Sequence, residues 1–181
     1  MKSTISKEIA EKLFNEFSDY VFRIALLLTG SKDAADDVTQ ETFIRVFGKY
    51  HTYDASKPIE PWIYKIALNV SRNMYRKQKR LILTDEQPES NSKEVVEDIV
   101  LEREKNETLR GEINKLGFKS REIVILHFYM GLTLREISQI LRIPEGTCKS
   151  RLNLALKALR ANYPLIDPDI TGKGGELYET I

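Results

Sequence analysis

Lys149, Ser150, Arg151 and Asn153 lie within five residues of one another in EGTCKSRLN, preceded by Glu145, Gly146 and Thr147. Amide, hydroxyl and guanidinium groups at this density suit hydrogen bonding to base edges and phosphates rather than bond-breaking chemistry. Cys148, Leu152, Ala155, Leu156 and Leu159 are interleaved with them at helical spacing and predict a buried stripe on the opposite side. Upstream, Thr133 and Glu136 stand at capping-box spacing, and Leu134, Ile137, Ile140 and Leu141 predict a short amphipathic helix. Pro144, which lacks an amide hydrogen, marks where the second helix begins. The segment Thr133 to Arg160 therefore reads as a helix-turn-helix whose second helix enters a major groove. An ordinary helical bundle with a solvated basic face is the competing reading of this segment taken alone.

A second candidate block is PWIYKIALNVSRNMYRKQKR, residues 61–80. Trp62, Tyr64, Asn69, Arg72, Asn73, Tyr75 and Arg76 mix ring faces with amide and guanidinium donors along one helix. That mixture suits unpaired bases, which stack on aromatics while cations hold their phosphates. Against this, Trp62 and Tyr64 read equally as core residues, and a basic run at a helix C-terminus has its own electrostatic reason to exist. In a third block, DVTQETFIRVF, Asp37, Gln40, Glu41 and Arg45 share a polar surface beside an apolar face.

The elements that must hold these groups are all helical. Ile9, Leu13, Phe14, Phe17, Val21, Ile24, Ala25 and Leu28 predict a first helix from near Ser6 to Thr29, stopped by Gly30. A second starts near Asp33 with Asp36 and Asp37 in its first turn, carries Val38, Phe43, Ile44 and Phe47, and ends at Gly48. KYHTYDASKPIEP is too polar and proline-broken for a helix; a third helix runs from about Pro61 to Arg80, with Ile63, Ile66, Ala67, Val70 and Met74 inward. Residues 81–95 lack apolar periodicity and read as a linker. Helix resumes near Val96, breaks at Gly117, and a core helix follows from about Ser120 to Met130. The segment after Tyr163, with two prolines and three glycines, reads as poorly ordered.

A net charge of +1 conceals strong segregation. Residues 51–80 carry seven Lys and Arg against two acids, 81–104 two against eight, 105–165 eleven against five, and 166–181 one against four. Two basic blocks on an acidic tether imply two anion-binding modules. No apolar run approaches a membrane span, the N-terminus lacks the apolar core of a signal peptide, and the single cysteine, Cys148, fits a reducing cytoplasm. His51 and His127 have no ligand or triad partner at suggestive spacing, so neither an enzyme, a metal site nor a cofactor is expected.

Together the three blocks resemble the sigma-70 family, in particular its small two-domain extracytoplasmic-function group, over about Glu11 to Asn162. DDVTQETFIRVF is similar to its region-two core-binding helix, PWIYKIALNVSRNMYRKQKR to the segment that melts and reads the −10 element, and REIVILHFYMGLTLREISQILRIPEGTCKSRL to region four, which reads the −35 element. The resemblance implies an all-α chain of two small helical domains, 1–82 and 105–165, joined by a flexible acidic linker at 83–104 and followed by a tail at 166–181. It implies that Asp37, Gln40, Glu41 and Arg45 dock on the coiled coil of the largest subunit of core RNA polymerase, with the flap as a further contact. It assigns the loop bearing His51, Tyr53, Asp54, Ser56 and Lys57 to capture of a flipped base. Asn69, Arg72, Asn73 and Arg76, with Trp62 and Tyr64, would meet the −10 element. Thr133, Arg135, Glu145, Gly146, Thr147, Lys149, Ser150, Arg151 and Asn153 would meet the −35 element, Thr133 and Arg135 through phosphate. Implied partners are core polymerase, promoter DNA and a membrane-linked anti-sigma factor, with no small-molecule substrate. The acidic linker, bearing Asp85, Glu86 and Glu89, is expected to thread toward the RNA-exit path. Three departures stand out: Leu154 where relatives often carry arginine, Pro61 beside Trp62, and Gly117 where proline is common. A stand-alone repressor would explain the second half but leave the first idle, and a polymerase-binding decoy would never melt DNA.

Overall fold

Three long helices make the first compact unit. The computed structural model describes residues 5–82 and 109–162 and divides the chain into two units between Lys93 and Glu94. The expected linker and tail, and the helix expected from Val96, lie outside the described residues up to 108 and beyond 162. No strand occurs among the described residues.

Helix α1 spans Lys7–Thr29 and begins at Ser6, whose hydroxyl accepts the Ile9 amide at 3.3 Å. Gly30 ends it in the left-handed region at φ 71°, its amide donating to Leu26 O. Helix α2 spans Lys32–Lys49, capped by Ser31 through the Ala34 amide. It begins earlier than expected, so Asp33 rather than Asp36 or Asp37 occupies the first turn. Gly48 does not end it either. Its φ is not positive, so the chain stays right-handed to Lys49 and tightens into a 3-10 turn over Tyr50–Thr52. A glycine stops a helix only where it takes up the left-handed conformation. Helix α3 spans Glu60–Ile82.

Leu13, Phe17 and Val21 of α1 meet Phe43 and Val46 of α2 and Ile63 and Ala67 of α3 in one core cluster. Ala25, Ala35, Val38 and Val70 form a second. Thr39, Thr42 and Ser71 are buried with them, and each hydroxyl donates to a carbonyl four residues back at 2.6–2.9 Å. Local satisfaction removes most of the penalty for burying them. Three residues expected on apolar faces are instead exposed: Ile9, Phe14 and Ile44. Ile44 follows the buried Phe43, and one step along a helix rotates a side chain about 100° out of the contact, whereas Phe14 stays half in it, its ring edge-to-face with Phe43 at 4.9 Å.

The second unit contains helical backbone at 109–115 (α4), α5 at Phe118–Val124, α6 at Leu134–Leu141 and α7 at Glu145–Asn162. Helix α5 continues directly into a π-helical turn over Ile125–Tyr129, and every residue from 122 to 129 is buried. A segment closed in on all sides is the core of its unit. His127 lies within it, its Nδ1–H donating to Leu132 O at 2.7 Å, since a carbonyl can only accept. Gly131, at φ 65°, leads to α6.

Candidate nucleic-acid interface

Helices α6 and α7 pack on each other, and α7 also packs on α5. Thr133 caps α6 in a full capping box: its hydroxyl accepts the Glu136 amide, and the Glu136 carboxylate accepts the Thr133 amide at 2.8 Å and its hydroxyl at 2.7 Å. These bonds hold the Glu136 carboxyl below its ordinary pKa, the Thr133 hydroxyl contributing most. The turn that follows places Arg142 at φ 55°, a left-handed conformation that is uncommon outside glycine. Pro144 precedes α7, and its carbonyl accepts the Thr147 and Cys148 amides at 2.9 and 3.2 Å.

Cys148, Leu152, Ala155, Leu156 and Leu159 all face inward, none more than 3% exposed. Burial pushes the Cys148 thiol up, which suppresses the thiolate and leaves a small apolar packing group. Glu145, Gly146, Lys149, Ser150 and Asn153 are exposed on α7, with Thr147 and Arg151 half-buried beside them. Lys149, Arg151 and Asn153 make no hydrogen bond or salt bridge to another described residue. Arg135 is exposed on α6, whereas the Thr133 hydroxyl is engaged in the cap. At Gly146 an added Cβ would meet nothing within 4 Å, so nothing in the fold requires glycine there.

In the first unit the loop between α2 and α3 is tied to itself. Asp54 accepts the Ser56 amide at 3.1 Å and hydroxyl at 2.7 Å, and the Lys57 ammonium lies 3.2 Å away. The Ser56 bonds, then Lys57, hold the Asp54 carboxyl below the usual carboxylate range. The Tyr53 hydroxyl donates to Lys57 O, and its ring lies 5.4 Å from Trp62 and 6.0 Å from Tyr50. Trp62 is half-buried and packs on the α1–α2–α3 cluster, so it supports the loop from beneath while the exposed edge of the loop carries His51, Asp54, Ser56 and Lys57. Tyr64 turns to Tyr20, with ring centroids 4.9 Å apart. Asn69, Asn73 and Arg76 are exposed along one stripe of α3, with Arg72 half-buried alongside.

Asp37, Gln40, Glu41 and Arg45 of α2 come together on one wall of a groove whose other wall is α3. Arg45 Nε donates to Glu41 Oε1 at 2.7 Å. The sequence reading missed part of this groove. Ile44 lies in it, 65% exposed, with Val70, Asn73, Met74 and Lys77 opposite. A signal was present: Ile44 stands four residues after Gln40 and three after Glu41, so it shares their face. Asn73 thus borders both the groove and the α3 stripe.

Residues 13–81 match the family model for Sigma-70 region 2, and residues 107–159 that for Sigma-70 region 4. Over 155 residues the chain is 30% identical to the ECF RNA polymerase sigma factor SigW of Bacillus subtilis, covering 80% of this chain and 83% of SigW. With SigM of the same organism it shares 31% identity over 154 residues, 84% of this chain and 94% of SigM. The chain is an extracytoplasmic-function member of the sigma-70 family. Sigma factors of this family are DNA-binding regulatory proteins that act in promoter-specific transcription initiation by RNA polymerase, and that is the function of this chain. Nothing supports a stand-alone repressor. The fold agrees with solved sigma factors. A co-crystal structure of the sigma factor RpoE with the anti-sigma factor NepR from Bartonella quintana superimposes with TM-score 0.74 at 20% identity, covering 90% of this chain and all of that one. CnrH, solved with the cytosolic domain of CnrY, gives TM-score 0.62 at 21% identity, covering 90% and 92%. Among the described residues no helix of this sigma factor is long and apolar enough to cross a membrane.

Proposed function

We propose that the two units divide promoter recognition between them. The first docks on core polymerase through the groove wall of Asp37, Gln40, Glu41 and Arg45, and holds the opened −10 element with the loop at 51–57 and the α3 stripe. The second sets α7 in the major groove of the −35 element. The observation that carries this reading is that Lys149, Arg151, Asn153, Asn69 and Arg76 have no partner among the described residues, on helices whose opposite faces are buried. Opening duplex DNA costs on the order of 1.4 kcal/mol per stacked step, so melting needs polymerase as well as this chain. A base flipped from the stack recovers part of a few-kcal/mol penalty in a protein pocket, and a loop already tied by Asp54, Tyr53 and Trp62 offers one without first having to order itself.

RpoE is seen in complex with an anti-sigma factor; this sigma factor is likewise held in the cytoplasm by an anti-sigma factor, membrane-linked, that covers its polymerase-binding faces. It contributes binding rather than catalysis. The acidic segment at 83–104 lies outside the described residues, and neutralising Asp85, Glu86 and Glu89 together is expected to impair initiation.

Run-off transcription by core enzyme with the full chain tests the whole reading: promoter-dependent transcripts support it, and their absence from every promoter would support a decoy. Within it, Asn69→Ala is expected to reduce −10 discrimination and leave polymerase affinity intact. Asn73→Ala, at the border of the groove, is expected to change both.

A further inference from the structure

We infer that Leu154 reads a thymine methyl group in the upstream promoter element, giving this chain a base preference that an arginine at the same place would not confer. The inference rests on the assignment of α7 to the −35 element and goes a step further. Leu154 is 65% exposed, and in the second unit it is the one large apolar side chain so exposed among the described residues. It lies two positions after Leu152, about 200° round the helix, and so points away from the core that Leu152 helps to fill. One turn before it stand Ser150 and Arg151, and one turn after it Lys157.

A lone exposed leucine is ordinary on a protein surface. This one sits on the face that carries the hydroxyl and the cations, on the second helix of the helix-turn-helix. Once α7 is in the groove, the leucine must lose its water. It can neither donate nor accept a hydrogen bond, so against a guanine or a phosphate it would leave polar groups unsatisfied. The thymine C5 methyl is the apolar feature that a base pair presents in the major groove. Contact with it removes both groups from water and strands no donor.

Replacing thymine by uracil deletes that methyl and nothing else. The test uses the full chain with core polymerase on a promoter identified from its own transcripts, with dT changed to dU one position at a time on both strands of the −35 element. We expect one or two neighbouring positions at which dU lowers initiation about fourfold, the factor for one methyl group left in water. With Leu154→Ala, initiation on the dT template is expected to fall several-fold, and dU at those positions to cost little more. A flat dU scan, equal dU effects in the wild type and Leu154→Ala, or a −35 element without an A·T pair overturns the inference. Lys149→Ala and Arg151→Ala separate this from failure of the parent assignment. If they abolish −35 dependence while the scan is flat, only the role of Leu154 is lost. If they too leave −35 dependence untouched, α7 does not read the element at all, and the inference falls with that assignment.

Discussion

The loop at 51–57 and the exposed face of α7 differ in how far their polar groups are already engaged. In the loop, the polar groups are spent on one another: Asp54 on Ser56 and Lys57, the Tyr53 hydroxyl on the Lys57 carbonyl, with Trp62 beneath. On α7, Lys149, Arg151 and Asn153 have no such engagement among the described residues. A single unpaired base offers few contacts, so a receptor that must order itself on binding would give up much of what it gains. A duplex has fixed geometry and abundant acceptors, so side chains that remain free until contact are sufficient there. On the proposed assignment, preorganisation is placed where the nucleic acid is disordered and omitted where it is rigid.

That contrast is most sharply tested at Lys149 and Arg151. Replacing either by alanine is expected to cost about 1–3 kcal/mol of promoter binding if it touches a base edge, and to leave thermal stability unchanged. Quantitative run-off across promoter variants distinguishes the cases, because a uniform loss on every promoter would reassign the residue to phosphate. Asp54→Ala is expected to do the reverse. By freeing Ser56 and Lys57 it should lower open-complex formation several-fold, with duplex −35 binding unaffected. Equal sensitivity of both steps would break the comparison.

Thr133→Ala is expected to destabilise the second unit by about 1 kcal/mol in thermal or denaturant unfolding, as loss of an N-cap does. Its pH dependence has a definite sign. The Glu136 carboxyl is depressed in the folded state, so the stability it contributes is fully present above its unfolded value of about 4.3 and is lost as pH falls through the lower folded value. The gap between wild type and Thr133→Ala should therefore hold steady above about pH 5 and narrow in acid. The smallest effect is expected at Gly146. Alanine there meets no steric obstacle and should raise helix stability by at most about 0.5–1 kcal/mol, while weakening −35 binding if DNA approaches that backbone closely. Gain in both measurements would remove Gly146 from the interface.

Much of the second unit was legible because its determinants are local. A capping box needs residues three apart, and a buried stripe recurs every three or four, so Thr133, Glu136 and the line from Cys148 to Leu159 could be read directly. The first unit was harder. Periodicity placed Ile44 with Phe43 on an apolar face, yet the packing of α1 and α3 buries Phe43 in the cluster and leaves Ile44 in a groove with Met74 and Lys77. Likewise, no spacing rule says that Trp62 comes to rest under Tyr53, or that Asn73 borders two candidate surfaces at once.

The amino-acid order by itself determined that the described chain is helical, the capping of α6, the inward stripe of α7 and the family to which the chain belongs, since each depends on residues close to one another in the chain. Tertiary structure alone decided which apolar residues are left exposed and which polar groups are already paired. Those outcomes depend on distances between segments far apart in the chain, where side-chain type sets what a group can do and the packing of neighbouring helices sets whether it is free to do it.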